Sequence, residues 1–454
     1  MQSLREYCMS EKSLNKNKLV FGLALVASAL LPVASLSGEI APLGDGERVV
    51  FLGDSITHGG GYVGWVQLFQ SLRNPGQSSI CMSSGLSGDT AGGSLRRFER
   101  DVNGKKPDRV FVMFGMNDVG HHLYTAESAK KADIEKQRLE RISNYEKNME
   151  KVHELIVKAG AKPIYITPTP YDEYSTKPNN PAKTNCTEFG LSRIASVVRK
   201  MAKSKGCEQA ELFNPFLALM KKHPGRFQGD RVHPGPEGHL LMGAMLFEQT
   251  GAPACFEKCE ISASQLPYKY SPKAFPLPVG DLYRKVEEVY PLTEKLNQEI
   301  FAVKGLGAGK WAVSADGKKL GIFSAEELGK GINLAVLPTP NQLEAQRLEG
   351  ISKGLSGEMS KLCTFYAMFD RAKVRGGDPE NKQSAFDALD GWVKELHEKK
   401  NAAATYYANC VKSFKKTYDE LPEIKAKIEK QRQELNAARP KAYVISLSKV
   451  ESGK

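Results

Sequence analysis

Short apolar runs alternate along the first half of the chain with longer stretches in which apolar residues recur every three or four positions. The short runs have the length and composition of buried strands and lie at residues 49–52, 109–114, 164–167 and 210–213. The spaced stretches are typical of one helix face and lie at residues 62–72, 142–156, 191–201 and 240–247. This alternation predicts an α/β fold with a central parallel sheet that is covered by helices on both faces.

The alternation stops after about residue 252, so we expect the first unit to span residues 46–252. Residues 253–337 contain proline-rich linkers and short strand-like runs, which predict a small β unit. Residues 338–440 carry apolar stripes at helical spacing, and residues 441–454 are strand-like again. A lone terminal strand is unstable unless it pairs. The tail is therefore predicted to return to the small β unit, and the helices to pack mainly on one another.

A serine stands at the end of the first predicted strand. In the segment Gly53-Asp54-Ser55 the glycine allows a sharp turn, and the serine lies where the strand passes into a helix. At such a junction a side chain projects from the sheet edge, and backbone N–H groups point toward incoming negative charge. Ser55 is therefore a candidate nucleophile, although an Asp-Ser pair is also ordinary turn chemistry.

A nucleophilic serine needs a base, a carboxylate that orients the base, and donors for the oxyanion. Among the eight histidines, only His233 follows an acid, Asp230, by three residues in a Gly/Pro-rich loop that opens a helix. Asn117 comes just after the strand at residues 109–114, so it would share a sheet edge with Ser55. Three further histidines are candidates for substrate contact or for an alternative base: His121, His122 and His239.

Four ordered blocks in this part of the chain resemble those of the GDSL/SGNH hydrolases. They are Gly53-Asp54-Ser55, Ser87-Gly88-Asp89-Thr90, Gly115-Met116-Asn117-Asp118 and Asp230-Arg231-Val232-His233. Any one block is a weak signal, but the serine, glycine, asparagine and histidine follow one another in the order typical of the family. Met116 stands where many relatives have threonine, a change that touches no catalytic role.

The resemblance implies a fold, a set of roles and a reaction. The fold is a three-layer α/β/α sandwich of the flavodoxin-like kind with a central parallel sheet. Ser55 would be the nucleophile, His233 the general base and then acid, and Asp230 the residue that orients His233. The oxyanion would be bound by the backbone N–H groups of Ser55 and Gly88 and by the side-chain amide of Asn117. The reaction would be ester hydrolysis through an acyl-enzyme, with no metal and no other cofactor.

The substrate is less closely defined, because the family includes polysaccharide acetylesterases, lipases and thioesterases. The resemblance to deacetylating members, with Gly59-Gly60-Gly61 after Ser55, favours an acetyl ester of a carbohydrate among small-molecule and glycan esters. A lipase or lysophospholipase-type esterase is one alternative. A non-catalytic exported carbohydrate-binding or scaffold protein is another, although the intact serine, glycine, asparagine and histidine argue against it.

The net charge of +12 raises the question of a polyanionic partner. From Leu337 onward, however, lysines and arginines are interspersed with acidic residues, and no nucleic-acid-binding motif accompanies them. Solvated lysine-rich helix faces explain the charge better. We therefore expect no nucleic-acid partner.

The N-terminus has the pattern of an export signal. Lysines precede an apolar run at residues 19–31, and small residues follow up to Ser37. This predicts a signal peptide over residues 1–37 and a periplasmic or secreted protein without a stable membrane span after cleavage. An uncleaved membrane anchor is the alternative.

Export would place the cysteines in an oxidising compartment. Cleavage after residue 37 leaves seven of them, so at least one would be free. Cys255 with Cys259, and Cys186 with Cys207, are the candidate pairs. None of the cysteines has the spacing of a metal site.

Overall fold

A five-stranded parallel sheet forms the centre of the first unit, in a computed structural model that describes residues 40–176 and 183–451. Its strands are β1 (Arg48–Gly53), β2 (Ile80–Gly85), β3 (Arg109–Met113), β4 (Lys162–Ile166) and β5 (Glu208–Ala210). Their order across the sheet is β2-β1-β3-β4-β5, and every neighbouring pair is parallel. The strands are predominantly apolar because such a sheet is buried on both faces.

Helices cover the two faces of this sheet. They are α1 (Ser55–His58), α2 (Gly61–Arg73), α3 (Ala91–Ser94), α4 (Phe98–Asp101), α5 (Ile134–Lys158), α6 (Ser192–Lys205), α7 (Phe213–Lys222) and α8 (Pro236–Glu248). Helix α2 leads from β1 to β2 and packs with α8, whereas α5 and α6 lead from β3 through β4 to β5 and pack against β4. From β1 the chain moves to one edge of the sheet at β2, and from β3 it moves to the other edge through β4 and β5. Because crossovers between parallel strands are right-handed, connections that run in opposite directions place their helices on opposite faces of the sheet. The result is a three-layer α/β/α sandwich.

Strand β2 is the strand that the hydrophobic pattern does not predict. Two serines, Ser83 and Ser84, break its apolar run, yet both are buried. Their hydroxyls donate to backbone carbonyls, that of Ser83 to Thr57 at 2.7 Å and that of Ser84 to Asp101 at 2.6 Å. Burial of these polar groups is tolerated because each has a partner, and no pattern within the strand indicates those partners.

Strand β5 lies slightly before the position that the pattern predicts, residues 210–213. The N–H groups of Leu212 and Phe213 donate to the hydroxyl of Thr167, at 2.8 Å and 3.0 Å, instead of to a neighbouring strand. Phe213 then begins α7. The apolar residues of this stretch are buried as expected, but in a turn and a helix start.

Two small sheets follow the sandwich. Their strands are β6 (Cys255–Ser262), β7 (Tyr268–Tyr270), β8 (Gln298–Lys304), β9 (Lys310–Ala315), β10 (Lys318–Ser324), β11 (Ile332–Asn333) and β12 (Tyr443–Lys449). The strand orders are β11-β8-β6 and β10-β9-β12-β7. Three short helices accompany them: α9 (Asp281–Glu287), α10 (Leu292–Leu296) and α11 (Ala325–Lys330). Phe301, Val313 and Ile445 lie in the core that the two sheets share.

The C-terminal tail lies inside the second of these sheets. Strand β12 is antiparallel to both of its neighbours, β7 and β9. Asn341 holds the start of the tail, because its side chain donates to the carbonyl of Lys441 at 3.0 Å and accepts from the N–H of Lys441 at 2.9 Å. The chain therefore leaves the β unit for the helices and returns to it at one place.

Three helices fill this excursion: α12 (Pro340–Val374), α13 (Lys382–Glu398) and α14 (Ala404–Ala437). The three helices have their most extensive contacts with one another, and α12 also packs against α2 and β2 of the sandwich. Leu355 and Met359 of α12, and Ile424 of α14, belong to the same hydrophobic core as the five-stranded sheet. Only the far end forms a separate core, where Phe365 stacks on Phe414 with ring centroids 5.0 Å apart. An apolar stripe indicates that a helix face is buried but not which partner buries it.

Neither candidate disulfide is present. In the described ranges the seven cysteines are all free. Cys255 and Cys259 are four residues apart on β6, or roughly 13 Å along a strand, whereas bridged Cα atoms lie within about 7 Å. Cys186 and Cys207 lie at opposite ends of α6, which is about 21 Å long.

The predicted signal peptide, residues 1–37, lies outside the described residues. Within residues 40–176 and 183–451, no helix combines the length and the hydropathy that crossing a membrane requires.

Candidate active site

Ser55 is the first residue of α1 and lies directly past the carboxyl end of β1. The buried carboxylate of Asp54 caps this helix by accepting from the N–H of Ile56 at 3.0 Å. A side chain at Gly53 would collide with Thr57 and with the carbonyl of Met113, so the turn needs a glycine there. These local contacts present the partly exposed Ser55 hydroxyl at the sheet edge.

A chain of two hydrogen bonds runs from Ser55 to Asp230. Nε2 of His233 lies 2.8 Å from Oγ of Ser55, and Nδ1 of His233 lies 2.6 Å from Oδ2 of Asp230. The other oxygen of Asp230 accepts from the backbone N–H groups of Val232 at 3.0 Å and His233 at 2.7 Å. A carboxylate cannot donate, so the neutral ring carries its proton on Nδ1 and leaves Nε2 free to accept the proton of Ser55.

The charges of the pair follow from these contacts. Partial burial alone would raise the pKa of Asp230, but the hydrogen bonds from His233 and from the two backbone N–H groups lower it. The hydrogen bond to Asp230 raises the pKa of His233, and partial desolvation opposes this only in part. Asp230 is therefore ionised at neutral pH, and His233 is more basic than an ordinary histidine.

The loop that carries His233 is held by residues that the sequence motifs do not indicate. Arg231 has a left-handed backbone, with φ +71°, although it is not a glycine. Its guanidinium donates to the carbonyl of Asp172 at 3.0 Å, and its own carbonyl accepts from the N–H of Asp172 at 2.9 Å. The Asp172 carboxylate in turn accepts from backbone N–H groups, including that of Gly225 at 2.7 Å. Such a strained conformation persists when its surroundings hold it in place.

The candidate oxyanion donors lie on two neighbouring loops. Gly88 is exposed, with φ +77°, a conformation that a side chain would disfavour. The side-chain nitrogen of Asn117 donates to the carbonyl of Asp89 at 2.8 Å. An amide nitrogen carries two protons, so this bond orients the group and leaves the second proton for an oxyanion.

Arg97 ties these loops to the sheet and is another residue that the motifs do not indicate. It is buried and forms an ion pair with Asp89 at 2.7 Å. It also donates to the carbonyls of Gly53 at 3.0 Å and Ser84 at 2.8 Å, at the ends of β1 and β2. Burial raises the pKa of Asp89, and Arg97 opposes that shift. One guanidinium therefore fixes the positions of both the nucleophile turn and the Gly88 loop.

Two other buried carboxyls brace the site. Asp118 accepts from the N–H of Ala91 at 3.0 Å, as Asp54 does from that of Ile56. Burial raises the pKa of Asp54 to about 7 and that of Asp118 to about 7. Both carboxyls accept from backbone N–H groups at the starts of short helices, α1 and α3, which agrees with a role in holding this backbone in place.

The other candidate histidines differ in their surroundings. His121 is largely buried beside Tyr171, with Nδ1 3.7 Å from the sulfur of Cys186, and burial lowers its pKa to about 4. His122 is exposed. His239 packs beneath Gly61, and burial lowers its pKa to about 4. Among the described residues, the histidine that is hydrogen-bonded to Ser55 is His233.

Clefts flank the nucleophile turn on two sides, and α12 lines both. One, of about 400 Å³, is lined by Ser87 and Asp89 of the Gly88 loop and by Arg371 of α12 and Tyr406 of α14. The other, also of about 400 Å³, lies between the loop after Ser55, the Pro234 segment and residues 349–357. In the described ranges, no group of three or more His, Cys, Asp or Glu side chains is arranged to hold a metal ion.

Comparisons with known proteins agree with this geometry. The model of the GDSL-like lipase/acylhydrolase family matches residues 51–241. An acetylxylan esterase of Geobacillus stearothermophilus is 26% identical over 224 residues, which are 46% of this chain and 96% of that protein.

One solved structure extends the likeness beyond the matched family region. A gut microbial diltiazem-metabolizing enzyme is 25% identical, with a TM-score of 0.76 over 91% of this chain and 100% of its own. A solved acetylxylan esterase from Geobacillus stearothermophilus is 24% identical over 46% of this chain and 96% of its own, with a TM-score of 0.38. Residues 51–241 thus match the GDSL-like lipase/acylhydrolase family, and the chain is a carboxylic ester hydrolase.

Proposed function

We propose that this protein removes acetyl or other short acyl groups from a carbohydrate. The observation that carries the proposal is the hydrogen-bonded chain from Ser55 to His233 at 2.8 Å and from His233 to Asp230 at 2.6 Å. A serine, a base and an orienting carboxylate in this order are the elements of acyl transfer through an acyl-enzyme.

The contacts support a mechanism in two half-reactions. Oγ of Ser55 attacks the ester carbonyl while Nε2 of His233 takes the hydroxyl proton, and Asp230 keeps the imidazolium in place. The oxyanion accepts hydrogen bonds from the N–H groups of Ser55 and Gly88 and from the free amide proton of Asn117. The tetrahedral intermediate collapses, and His233 passes the proton to the departing alcohol. Water, activated by His233, then hydrolyses the acyl-enzyme.

The relatives support the preference for short acyl groups. One is named an acetylxylan esterase, and a solved structure that covers 91% of this chain is named a diltiazem-metabolizing enzyme. The cleft beside the Gly88 loop is lined by arginines, a threonine and tyrosines as well as by apolar side chains, and Tyr406 is 46% exposed. Exposed aromatic rings and hydrogen-bond donors suit a sugar ring better than a long alkyl chain.

A substrate panel tests this function. We expect the purified protein to hydrolyse p-nitrophenyl acetate and acetylated xylo-oligosaccharides, and its kcat/KM to fall as the acyl chain lengthens from acetyl to octanoyl. Diltiazem belongs in the panel because a structural relative is named for metabolising it. Preference for octanoyl esters would favour a lipase-type activity, and lack of turnover on every ester would favour a scaffold.

Ser55→Ala is the control for contamination. Its hydroxyl carries the chemistry, so we expect turnover to fall to background while the fold is retained. Ser196→Ala, on the exposed face of α6, provides a matched variant that should keep full activity. Retained turnover in pure Ser55→Ala would refute the proposed nucleophile.

We also propose that the protein is exported to the periplasm or secreted, on the strength of the lysines and the apolar run within residues 1–37. Cell fractionation and N-terminal sequencing of the product test this. A mature N-terminus near residue 38 is the expected result, and a cytoplasmic full-length chain would contradict it.

A further inference from the structure

His58 connects the Gly88 loop to the C-terminal helix α12. Its Nδ1 lies 3.1 Å from the backbone nitrogen of Ser87 and 3.1 Å from the Ser87 hydroxyl. Its Nε2 lies 2.9 Å from the hydroxyl of Thr364 and 3.3 Å from the carbonyl of Ser360. The side chain is buried, with only 7% of the residue exposed. Both ring nitrogens therefore have hydrogen-bond partners: Nδ1 contacts the Gly88 loop, and Nε2 contacts α12.

The roles of the two nitrogens follow from their partners. A backbone N–H can only donate, so Nδ1 accepts from Ser87, and the single proton of a neutral ring is on Nε2. Nε2 can then donate to Thr364 or to the Ser360 carbonyl. Burial and, to a lesser extent, the charge of Arg97 lower the pKa of His58, which keeps the ring in this neutral form. The hydrogen bonds of the bridge therefore run from the Ser87 N–H of the loop, through the ring, to α12.

His58 is also the last residue of the one-turn helix that begins at Ser55. A side chain at Gly85, the end of β2, would collide with the backbone of Thr57 and His58, so the turn and the strand end are in close contact. A shift of His58 therefore moves Ser55 and the Gly88 loop together, because packed structure transmits small displacements. These two elements carry the nucleophile and the Gly88 oxyanion donor.

The position of α12 is itself fixed beside the nucleophile turn. The hydroxyl of Ser352 donates to the carbonyl of Gly64 at 2.8 Å. A side chain on Gly64 would strike the Ser356 hydroxyl, and one on Gly60 would press on the Ser356 backbone. Small residues thus face one another along α2 and α12, which permits a close approach of the two helices and sets how they are aligned.

We propose that His58 is a positioning residue that sets the geometry of the oxyanion hole, and that Thr364 of α12 holds it there. The inference rests on the proposed esterase function. Under it, the helices outside the matched family region, residues 51–241, form part of the active site. They are required for the chemical step even for a small ester that does not touch them.

Thr364→Val is the principal test, since it removes the hydroxyl and keeps the shape. With p-nitrophenyl acetate we expect kcat to fall about fivefold, the value of one ordinary hydrogen bond, and KM to stay within about twofold. Thr364→Ser keeps a hydroxyl and should restore most of kcat. Thr405→Val, at an exposed position of α14, is the matched control and should behave as wild type. His58→Gln, which withdraws the acceptor from Ser87, should lower kcat about tenfold or more.

A double-mutant cycle separates positioning from general loosening. If His58 acts through the oxyanion hole, Thr364→Val should lower kcat less than about twofold in a protein that already carries Asn117→Ala, because that substitution has already weakened the oxyanion hole. Additive losses would overturn the inference, as would a wild-type kcat in Thr364→Val. Should His58→Gln fail to fold, Thr364→Val and its cycle still decide the matter. Wild-type protein without any Ser55-dependent turnover would instead refute the proposed function.

Discussion

The chemistry of this site depends on single side chains, and substitution of Asn117 measures how much its amide contributes to catalysis. Its amide is held by the Asp89 carbonyl at 2.8 Å, and its second proton is the proposed oxyanion donor. Asn117→Ala should lower kcat roughly a hundredfold to a thousandfold with little change in KM, because the bond forms mainly in the transition state. Steady-state kinetics with p-nitrophenyl acetate measures both. A rise in KM alone would make Asn117 a substrate-binding residue.

The pH dependence of the activity follows from the protonation of one side chain, His233. His233 must be neutral to act as the base, and its hydrogen bond to Asp230 raises its pKa. Activity should therefore be lost as the pH falls, with an apparent pKa in kcat/KM above the ordinary histidine value of about 6.5.

Asp230→Asn removes the charge that raises the pKa, so the acid limb should move to lower pH. The same substitution should lower kcat less than His233→Ala does, because it removes orientation and leaves the base. A pH–rate profile of each variant measures these shifts. An unchanged acid limb in Asp230→Asn would contradict the assigned contact, and full activity of His233→Ala would require another base.

Among the elements, β12 joins the end of the chain to the small β unit. Tyr443 is 2% exposed and Ile445 is 0% exposed in the shared core. Deletion of residues 441–454 would expose that core and leave β7 without its partner, so we expect a loss of about 3–6 kcal/mol of unfolding free energy from the two side chains. Thermal and urea unfolding measure this.

Deletion of residues 451–454 alone keeps β12 and is the matched control. Increased proteolysis between residues 255 and 335 would locate the damage in the two small sheets. Equal stability of the two truncated proteins would contradict the role of the tail.

Helix α12 has contacts at this scale that its sequence does not indicate. Leu355 and Met359 belong to the core of the five-stranded sheet, while the Thr364 hydroxyl contacts His58. Replacing residues 341–438 by a linker would therefore remove part of that core as well as the contact to the Gly88 loop. A loss of activity in the excision variant could come from misfolding or from the lost contact. Single substitutions on α12 separate the two effects, because they leave the core in place.

The cysteines are distributed over the sandwich, the small sheets and the C-terminal helices, so their redox state is a property of the whole molecule. The seven described ones are free, and their positions keep both candidate pairs far apart. A chain with a core of this size does not depend on disulfides for stability. Alkylation of the denatured, unreduced protein should therefore label all seven, with peptide mapping as the readout. A disulfide-linked peptide containing Cys255 or Cys186 would contradict this.

The local features of this protein can be predicted from its sequence. Hydrophobic periodicity was enough to indicate most strands and helices, since the spacing of buried positions reflects local geometry. The blocks around Ser55, Gly88, Asn117 and His233 indicated the family, because each needs particular residue types at a strand end or a loop. The acid three residues before His233 is likewise a local signal; in the structure Asp230 binds His233, and His233 binds Ser55.

The partners that these local features contact are set by the tertiary fold. The serines of β2 are buried because their partners, Thr57 and Asp101, come from other elements. The contact of His58 with Thr364 joins positions 306 residues apart. Periodicity shows which face of a helix is apolar, but the same periodicity results whichever element covers that face. The partner of α12 could therefore not be predicted from its apolar stripe. Propensity and spacing act within a few turns of chain, whereas these contacts depend on the arrangement of the whole core.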